Sequence, residues 1–248
     1  MTQADAELLE VLLKTERDSR AWTLAHLTPE QRVQRLMFLN AHGVNCAAQD
    51  AAFRQQLLDC EYLLRDGIGV SLGLKALGLA ETENLNGTDL IPKILSRHKQ
   101  LSTAIWGSSE EALEKLQQRL TAEGYDNIVS LEHGFHDDAF YIERYRALRP
   151  RILVLCMGMP RQELLAGKLA ESLAAATDAA GGLIVCGGGW ADFHSNHKQR
   201  APLWVQRLRL EWLHRLSREP GRLGKRYTVD IFQYFMTIAR LSRVSKAR

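Results

Sequence analysis

Three short segments of this chain place polar groups or glycines directly behind apolar runs. In proteins built of alternating strands and helices, that is where ligands are handled. The first is Asp66-Gly67, behind "YLLR" at 62–65. A carboxylate at the end of a parallel strand faces the ligand crevice and can take a proton there; taken alone, the dipeptide also reads as a plain turn. The second is "GMPRQE" (158–163). Gly158 permits a positive φ or a close backbone approach, and Pro160 suits the first turn of a helix, whose free N–H groups can receive an anion. Arg161 and Gln162 carry donors and acceptors suited to a base, a ribose or a phosphate; an ordinary strand-to-helix loop is the alternative. The third is "CGGGWADF" (186–193), three glycines that can bring backbone N–H groups near a diphosphate. It is neither G-x-G-x-x-G nor G-x-x-x-x-G-K-[ST], which weakens the dinucleotide and P-loop readings and leaves a tight turn as the alternative.

Other polar clusters read more simply. In "WGSS" (106–109) the serines suit capping of the next helix better than ligand contact. His133, His136, Asp137 and Asp138 crowd one loop, but a metal needs three or four converging ligands; the cluster reads as solvated, with Asp137 capping a helix. No Asp-x-Asp occurs. That motif carries the divalent cation in one large class of nucleotide-sugar enzymes, so a metal-independent reaction is expected, with helix N-termini and Arg or Lys neutralising a leaving diphosphate.

The elements that would position these groups follow from periodicity. Residues 5–24 have helical apolar spacing and read as an N-terminal extension. Strands are expected at 35–39, 62–65, 103–106, 127–131, 151–157 and 182–186. Helices are expected at about 45–59, 69–78, 109–123, 137–148 and 161–175, with another starting in "NGTDLIPKIL", where Thr88 suits an N-cap and Asp89 the first turn. "RILVLCM" and "GLIVC" are continuously apolar, as buried parallel strands are. Strands and helices alternating at this pitch predict a Rossmann-like α/β fold, a parallel sheet flanked by helices. The expected division is a helical extension over 1–34, the α/β catalytic domain over 35–195 and a basic helical appendage over 196–248.

With 248 residues, 46% hydrophobic and 25% charged, the chain is long enough for a full core. Four cysteines without metal-site spacing suggest reduced thiols. No segment approaches the ~20 apolar residues of a membrane span, and the N-terminus lacks a signal-peptide core, so a cytoplasmic chain, soluble or peripheral on the membrane, is expected. Charge is divided unevenly. Residues 199–248 hold twelve Lys or Arg and three acids, nine net positive charges, against six net negative on the remainder. "QRAPLWVQRLRLEWLHRLSREPGRLGKRY" (199–227) has one apolar and one basic face at helical spacing, and a break at Glu219-Pro220-Gly221. Two or three such amphipathic helices can lie on an anionic bilayer or close over a diphosphate; a helix packed on the core with a solvated basic face is the plainer alternative.

Taken in order, "FLNAHGVNCAAQD", "LLRDGIGVSLGLKALGL", "NGTDLIP", "PRILVLCMGMPRQE", "CGGGWADF" and the basic segment 199–227 resemble the WecG/TagA/CpsF family of bacterial glycosyltransferases over about 36–227. The resemblance implies inverting transfer from a UDP-sugar to a polyprenyl-diphosphate-linked saccharide in wall, capsule or exopolysaccharide assembly. It makes Asp66 the general base and matches Asn40 and Gln162 to family site positions. It carries the lipid diphosphate to Arg215, Arg222 and Lys225 or Arg226. The chain departs from the family at Phe38, where many members have Thr, and at Asn84, the nearest match to a family Arg.

Together these readings nominate Asn40, Gly67, Asn86, Thr88, Asp89, Gly107, Gly158, Met159, Pro160, Gln162, Gly187, Gly188, Gly189 and Arg200 for substrate. They nominate Arg207, Arg215, Arg222, Lys225 and Arg226 for the lipid diphosphate and the membrane. No cofactor, metal or nucleic acid is expected, and self-association is left open. The rivals are a nucleotide-dependent oxidoreductase or methyltransferase, and a non-catalytic protein that binds a membrane surface or nucleic acid through its basic tail.

Overall fold

A computed structural model describes residues 2–27, 29, 32–80, 82–174, 181–208 and 210–246; the side chains at 174, 203, 207, 222, 226 and 244–246 lie outside that description. Its frame is one all-parallel sheet of six strands: β1 (Val33–Leu39), β2 (Tyr62–Arg65), β3 (Thr103–Gly107), β4 (Ile128–Glu132), β5 (Ile152–Cys156) and β6 (Gly182–Cys186), in the order β2-β1-β6-β5-β3-β4. The strands are short apolar runs, and alternate residues feed two separate cores. Leu153 and Leu155 of β5 face one, while Ile152, Val154 and Cys156 face the other. Helices cover both faces, so both must be apolar, which is why the central strands β5 and β6 read as unbroken hydrophobic runs.

The first core holds α1 (Gln3–Ala21), α3 (Ala51–Asp59), α7 (Asp138–Leu148) and α8 (Arg161–Ala174) against the sheet. The second holds α5 (Gly87–Arg97), α6 (Glu110–Ala122) and α9 (Trp190–His194). Residues 1–34, expected as an extension, contribute Leu8, Val11 and Leu12 of α1 to the first core.

Several helix boundaries differ from expectation. The helix expected from 45 is two, α2 (Ala41–Gln49) and α3, because Asn40 and then Asp50 each act as an N-cap. Asn40 Oδ1 accepts the Gly43 N–H at 3.0 Å, and Asp50 Oδ1 accepts the Phe53 N–H at 3.0 Å. Helix α4 (Gly67–Ala76) follows Asp66 directly. The N-cap of α5 is Asn86 and not Thr88: Asn86 Oδ1 accepts the Asp89 N–H, which moves the start two residues forward and leaves Thr88 inside the first turn. Ser109 and Asp137 cap α6 and α7 as expected.

Beyond the sheet, the expected two or three helices are four among the described residues: α10 (Leu203–Arg207), α11 (Glu211–Arg218), α12 (Pro220–Tyr227) and α13 (Val229–Lys246). The long amphipathic run breaks after α10, where the Leu208 N–H closes on Trp204 O and the Leu210 N–H on Val205 O. Pro220 opens α12 at the anticipated break. Helix α13 packs on α2 and α4 and buries Tyr234, Ile238 and Leu241 in the first core, each worth about 2 kcal/mol of apolar transfer. Tyr234 Oη donates to Gly69 O at 2.9 Å, and only a glycine at 73 leaves room for that hydroxyl. Among the described residues, no helix is long and apolar enough to cross a membrane.

Candidate active site

The sheet order puts four consecutive strand ends together. Asn40 follows β1, Asp66 follows β2, Gly187–Gly189 follow β6, and Met157–Pro160 follow β5. Neighbouring strands lie about 4.8 Å apart, so Asp66 stands two strand spacings, roughly 10 Å, from the glycine-rich loop.

Asp66 is half-buried, and its N–H donates to Leu39 O at 2.8 Å, continuing the pairing of β2 with β1 beyond the last strand residue. Although it is the N-cap of α4, its carboxylate makes no capping bond. The next residue, Gly67, has φ +85°, and no atom lies within 4 Å of where a Cβ would stand. The same holds for Gly158 (φ +78°) and Gly188 (φ +58°). These three glycines are required by backbone conformation, and each turns its empty side to open space. The other nominated glycines are packed. A Cβ on Gly187 would meet Ile91 Cδ1 at 2.9 Å, and one on Gly107 would sit 2.3 Å from the carbonyl carbon of Cys156.

The side chains around these loops mostly hold the loops themselves. Gln162 is buried; its Oε1 accepts the N–H of Gly158 (3.2 Å) and of Gly188 (3.0 Å), clasping the β5 and β6 loops together. Its Nε2 donates to Glu163 Oε1 at 2.8 Å, which fixes the direction of the amide. Glu163 is wholly buried, and burial pushes its carboxyl up to about 7, against the opposing Gln162 hydrogen bond. Arg161 donates to Gly134 O and His136 O and so anchors the loop after β4. Met159 Sδ packs where a side chain at Gly43 would stand, and Pro160 O accepts the Leu164 N–H at the start of α8.

Asn86 and Asp89 form a reciprocal cap, with Asn86 Nδ2 donating to Asp89 Oδ2 at 2.7 Å. Asp89 also receives Arg200 Nη1 at 2.6 Å, while Arg200 Nε donates to Glu211 at 3.1 Å; this clasp ties the first turn of α5 to α11. Burial would raise the Asp89 carboxyl, but the Arg200 and Asn86 hydrogen bonds outweigh it and hold the group below its ordinary range.

Of the five appendage cations, Arg215 reaches the glycine-rich loop. Its guanidinium lies 4.9 Å from the centre of the Phe193 ring, and Nη2 is 3.7 Å from where a Gly189 Cβ would be. Among the described residues it forms no ion pair, so its charge remains available at the loop. Lys225 instead lines a cavity beside α2. The side chains of Arg207, Arg222 and Arg226 lie outside the described residues.

The chain matches the glycosyl transferase WecG/TagA/CpsF family over residues 9–248. It belongs to that family. The match takes in most of the N-terminal region that the quoted motifs leave out. As a WecG/TagA/CpsF glycosyltransferase, the protein acts in cell-surface polysaccharide synthesis, and the family implies a nucleotide-sugar donor and a lipid-linked acceptor.

In this glycosyltransferase, both departures from the family pattern fall at structured places. Asn84 Oδ1 accepts the Gly67 N–H at 2.8 Å, directly behind Asp66. Phe38 is buried in the second core, and its ring lies 3.2 Å from where a Gly87 Cβ would be, so α5 starts against it.

Sequence reasoning did not find two further groups. Arg65 is buried; its Nε donates to Thr82 Oγ1 (3.0 Å) and Glu83 O (3.1 Å), and Nη1 donates to Gly67 O (3.2 Å). It therefore holds the segment that carries Asn84. An arginine ending a buried apolar strand was the available signal. Ser108 donates a short hydrogen bond to Asp192, which also receives Lys198 Nζ at 2.9 Å. Burial would raise Asp192, yet these two partners keep it below the usual carboxylate value. Among the described residues, no three His, Cys, Asp or Glu side chains converge as a metal site would require.

Proposed function

We propose that the enzyme transfers a sugar, with inversion, from a UDP-sugar to a saccharide carried on polyprenyl diphosphate, with Asp66 as the general base. The observation that carries this reading is the row of four adjacent strand ends. One presents a carboxylate that does not cap its helix, and three carry positive-φ glycines open to a ligand. The Asp66 carboxylate takes the proton of an acceptor hydroxyl as that oxygen bonds to the anomeric carbon. The bond from that carbon to the UDP oxygen breaks on the opposite side, and inversion needs only one base, on the attacking side. Charge on the departing diphosphate is met by N–H groups of the glycine-rich loop and by Arg215. A lipid-linked acceptor, which the family implies, supports a reaction at a membrane surface. The exposed side chains of Trp204 (64%), Leu208 and Trp212, and of Phe232 (68%) and Met236 (58%) on α13, support docking there, with the appendage's net positive charge facing anionic lipid.

The deciding experiment is radiolabel transfer from a panel of UDP-sugars to a synthetic lipid-diphosphate acceptor, with thermal-shift binding of UDP, NAD and S-adenosylmethionine alongside. Transfer from one UDP-sugar and stabilisation by UDP alone are expected. Stabilisation by NAD or S-adenosylmethionine without transfer would overturn the reading. Co-sedimentation with anionic vesicles tests the membrane part: Phe232→Glu with Met236→Glu should lower the bound fraction severalfold.

A further inference from the structure

A second chemical constellation lies where α13 packs on α2. Cys46 Sγ is 3.5 Å from His42 Nε2, one helical turn earlier in α2. The other ring nitrogen, Nδ1, lies 3.3 Å from Asp230 Oδ2, contributed by α13. A thiol, an imidazole and a carboxylate stand in the order of nucleophile, base and acid in a reactive cysteine, the last two at ion-pair distance. Asp230 is itself held, its carbonyl receiving Asn45 Nδ2 at 2.6 Å.

The group opens into a cavity of about 490 Å³ lined by His42, Asn45, Cys46 and Gln49 of α2, Leu223 and Lys225 of α12, and Asp230 and Gln233 of α13. That volume falls in the range of small-ligand sites. The other three cysteines are sealed in the cores, where burial pushes the Cys60 and Cys156 thiols up to about 12 and the Cys186 thiol well above its ordinary value. Cys46 is half-buried and faces the cavity. The proposed transfer chemistry does not use it.

We propose that Cys46 is a thiol–disulfide exchange site, and that the cavity between α2 and the appendage receives a small, anionic, cysteine-containing disulfide. His42 Nε2 takes the Sγ proton, and the thiolate attacks one sulfur of the incoming disulfide. The Cys46–sulfur bond forms as the original S–S bond breaks, and the departing thiolate recovers the proton from the imidazolium. Cys46 is oxidised and one half of the small disulfide is reduced, so electrons and protons balance. The anionic preference comes from the Lys225 ammonium on the cavity wall. The attached half then stands between α2 and α12–α13, where it displaces Asp230 from His42 and loosens the appendage.

The test treats the full-length protein with glutathione disulfide at neutral pH and follows each cysteine by peptide mass spectrometry. Cys46 should react at least tenfold faster than Cys60, Cys156 or Cys186. His42→Asn and Asp230→Asn should each slow it about tenfold. Lys225→Glu should slow the anionic glutathione disulfide while speeding the cationic cystamine. Hydrogen exchange over Val229–Lys246 should rise on modification. Circular dichroism melting checks that each variant is folded, and rates on unmelted Asp230→Asn decide the matter if His42→Asn unfolds. Equal rates at all four cysteines, or an unchanged Cys46 rate in the folded variants, would overturn the proposal.

Discussion

The carboxyl ends of the sheet fall into two halves built from similar residues and doing different work. At β2, β6 and β5, glycines with positive φ turn open sides outward, and Asp66 leaves its helix without a side-chain cap. At β3 and β4, the comparable features are closed. Gly107 also has positive φ, but the Cys156 backbone fills the space beside it, and Ser109 and Asp137 spend their side chains on helix caps. His133, His136 and Phe140 stack on one another at 4.0 and 3.8 Å. A glycine, serine or histidine at a strand end therefore says little about chemistry until it is known whether its free side meets protein or space.

The largest effect should come from the open half. Asp66→Asn keeps the shape of the side chain and removes its basicity; turnover should fall 10²-fold or more, with UDP-sugar affinity nearly intact. Near-normal turnover in a single-turnover assay would remove Asp66 from the base role and dissolve the contrast between the two halves. Next is the closed half. Gly107→Ala forces a methyl against the Cys156 backbone and should cost roughly 4 kcal/mol or prevent folding, whereas Gly158→Ala adds only about 1 kcal/mol of backbone strain. Urea denaturation of the two variants separates a packed glycine from an open one, and equal losses would break the comparison.

Beneath the open half lies a buried acid whose titration sharpens it. The folded chain keeps the Glu163 proton up to about pH 7, while the unfolded chain releases it at the ordinary carboxylate value. Between those limits the native state binds more protons, so stability falls as pH rises, by roughly 3 kcal/mol in all. The Glu163→Gln variant should lose that slope in denaturation curves measured from pH 5 to 8. A persistent slope would assign it to other groups.

How much of this was legible in the sequence depends on range. The strands were readable to within one or two residues because burial on both faces of the central ones leaves mostly apolar side chains. The order of the motifs pointed to the family, and through it to Asp66 as the base proposed above. Helix starts at Asn40 and Asn86 were missed because a cap is a contact of a side chain with a backbone N–H three residues on, and Asn can serve a ligand equally well. Gln162 was expected to face substrate; the sequence shows an amide but not its direction, which the neighbouring Glu163 sets. Ser108 with Asp192, and Asp89 with Arg200, join residues far apart in the chain, and no local pattern carries such pairs.

The two smallest effects bring the comparison down to single side chains. Arg215→Ala removes a charge that no described acid claims and that stands over the open loop. It should lower kcat/KM about tenfold, roughly 1.4 kcal/mol, with the loss growing smaller as salt screens the charge. His133→Ala deletes a ring from the closed half that stacks on His136 and accepts the Phe135 N–H at 3.2 Å. It should cost under about 1 kcal/mol of stability and leave kcat/KM within about twofold, since surface stacking of this kind is worth little and reaches no reacting atom. A large kinetic loss in His133→Ala with normal stability would mean that the acceptor runs across the closed half as well. The division of the sheet into working and supporting ends would then have to move to β4.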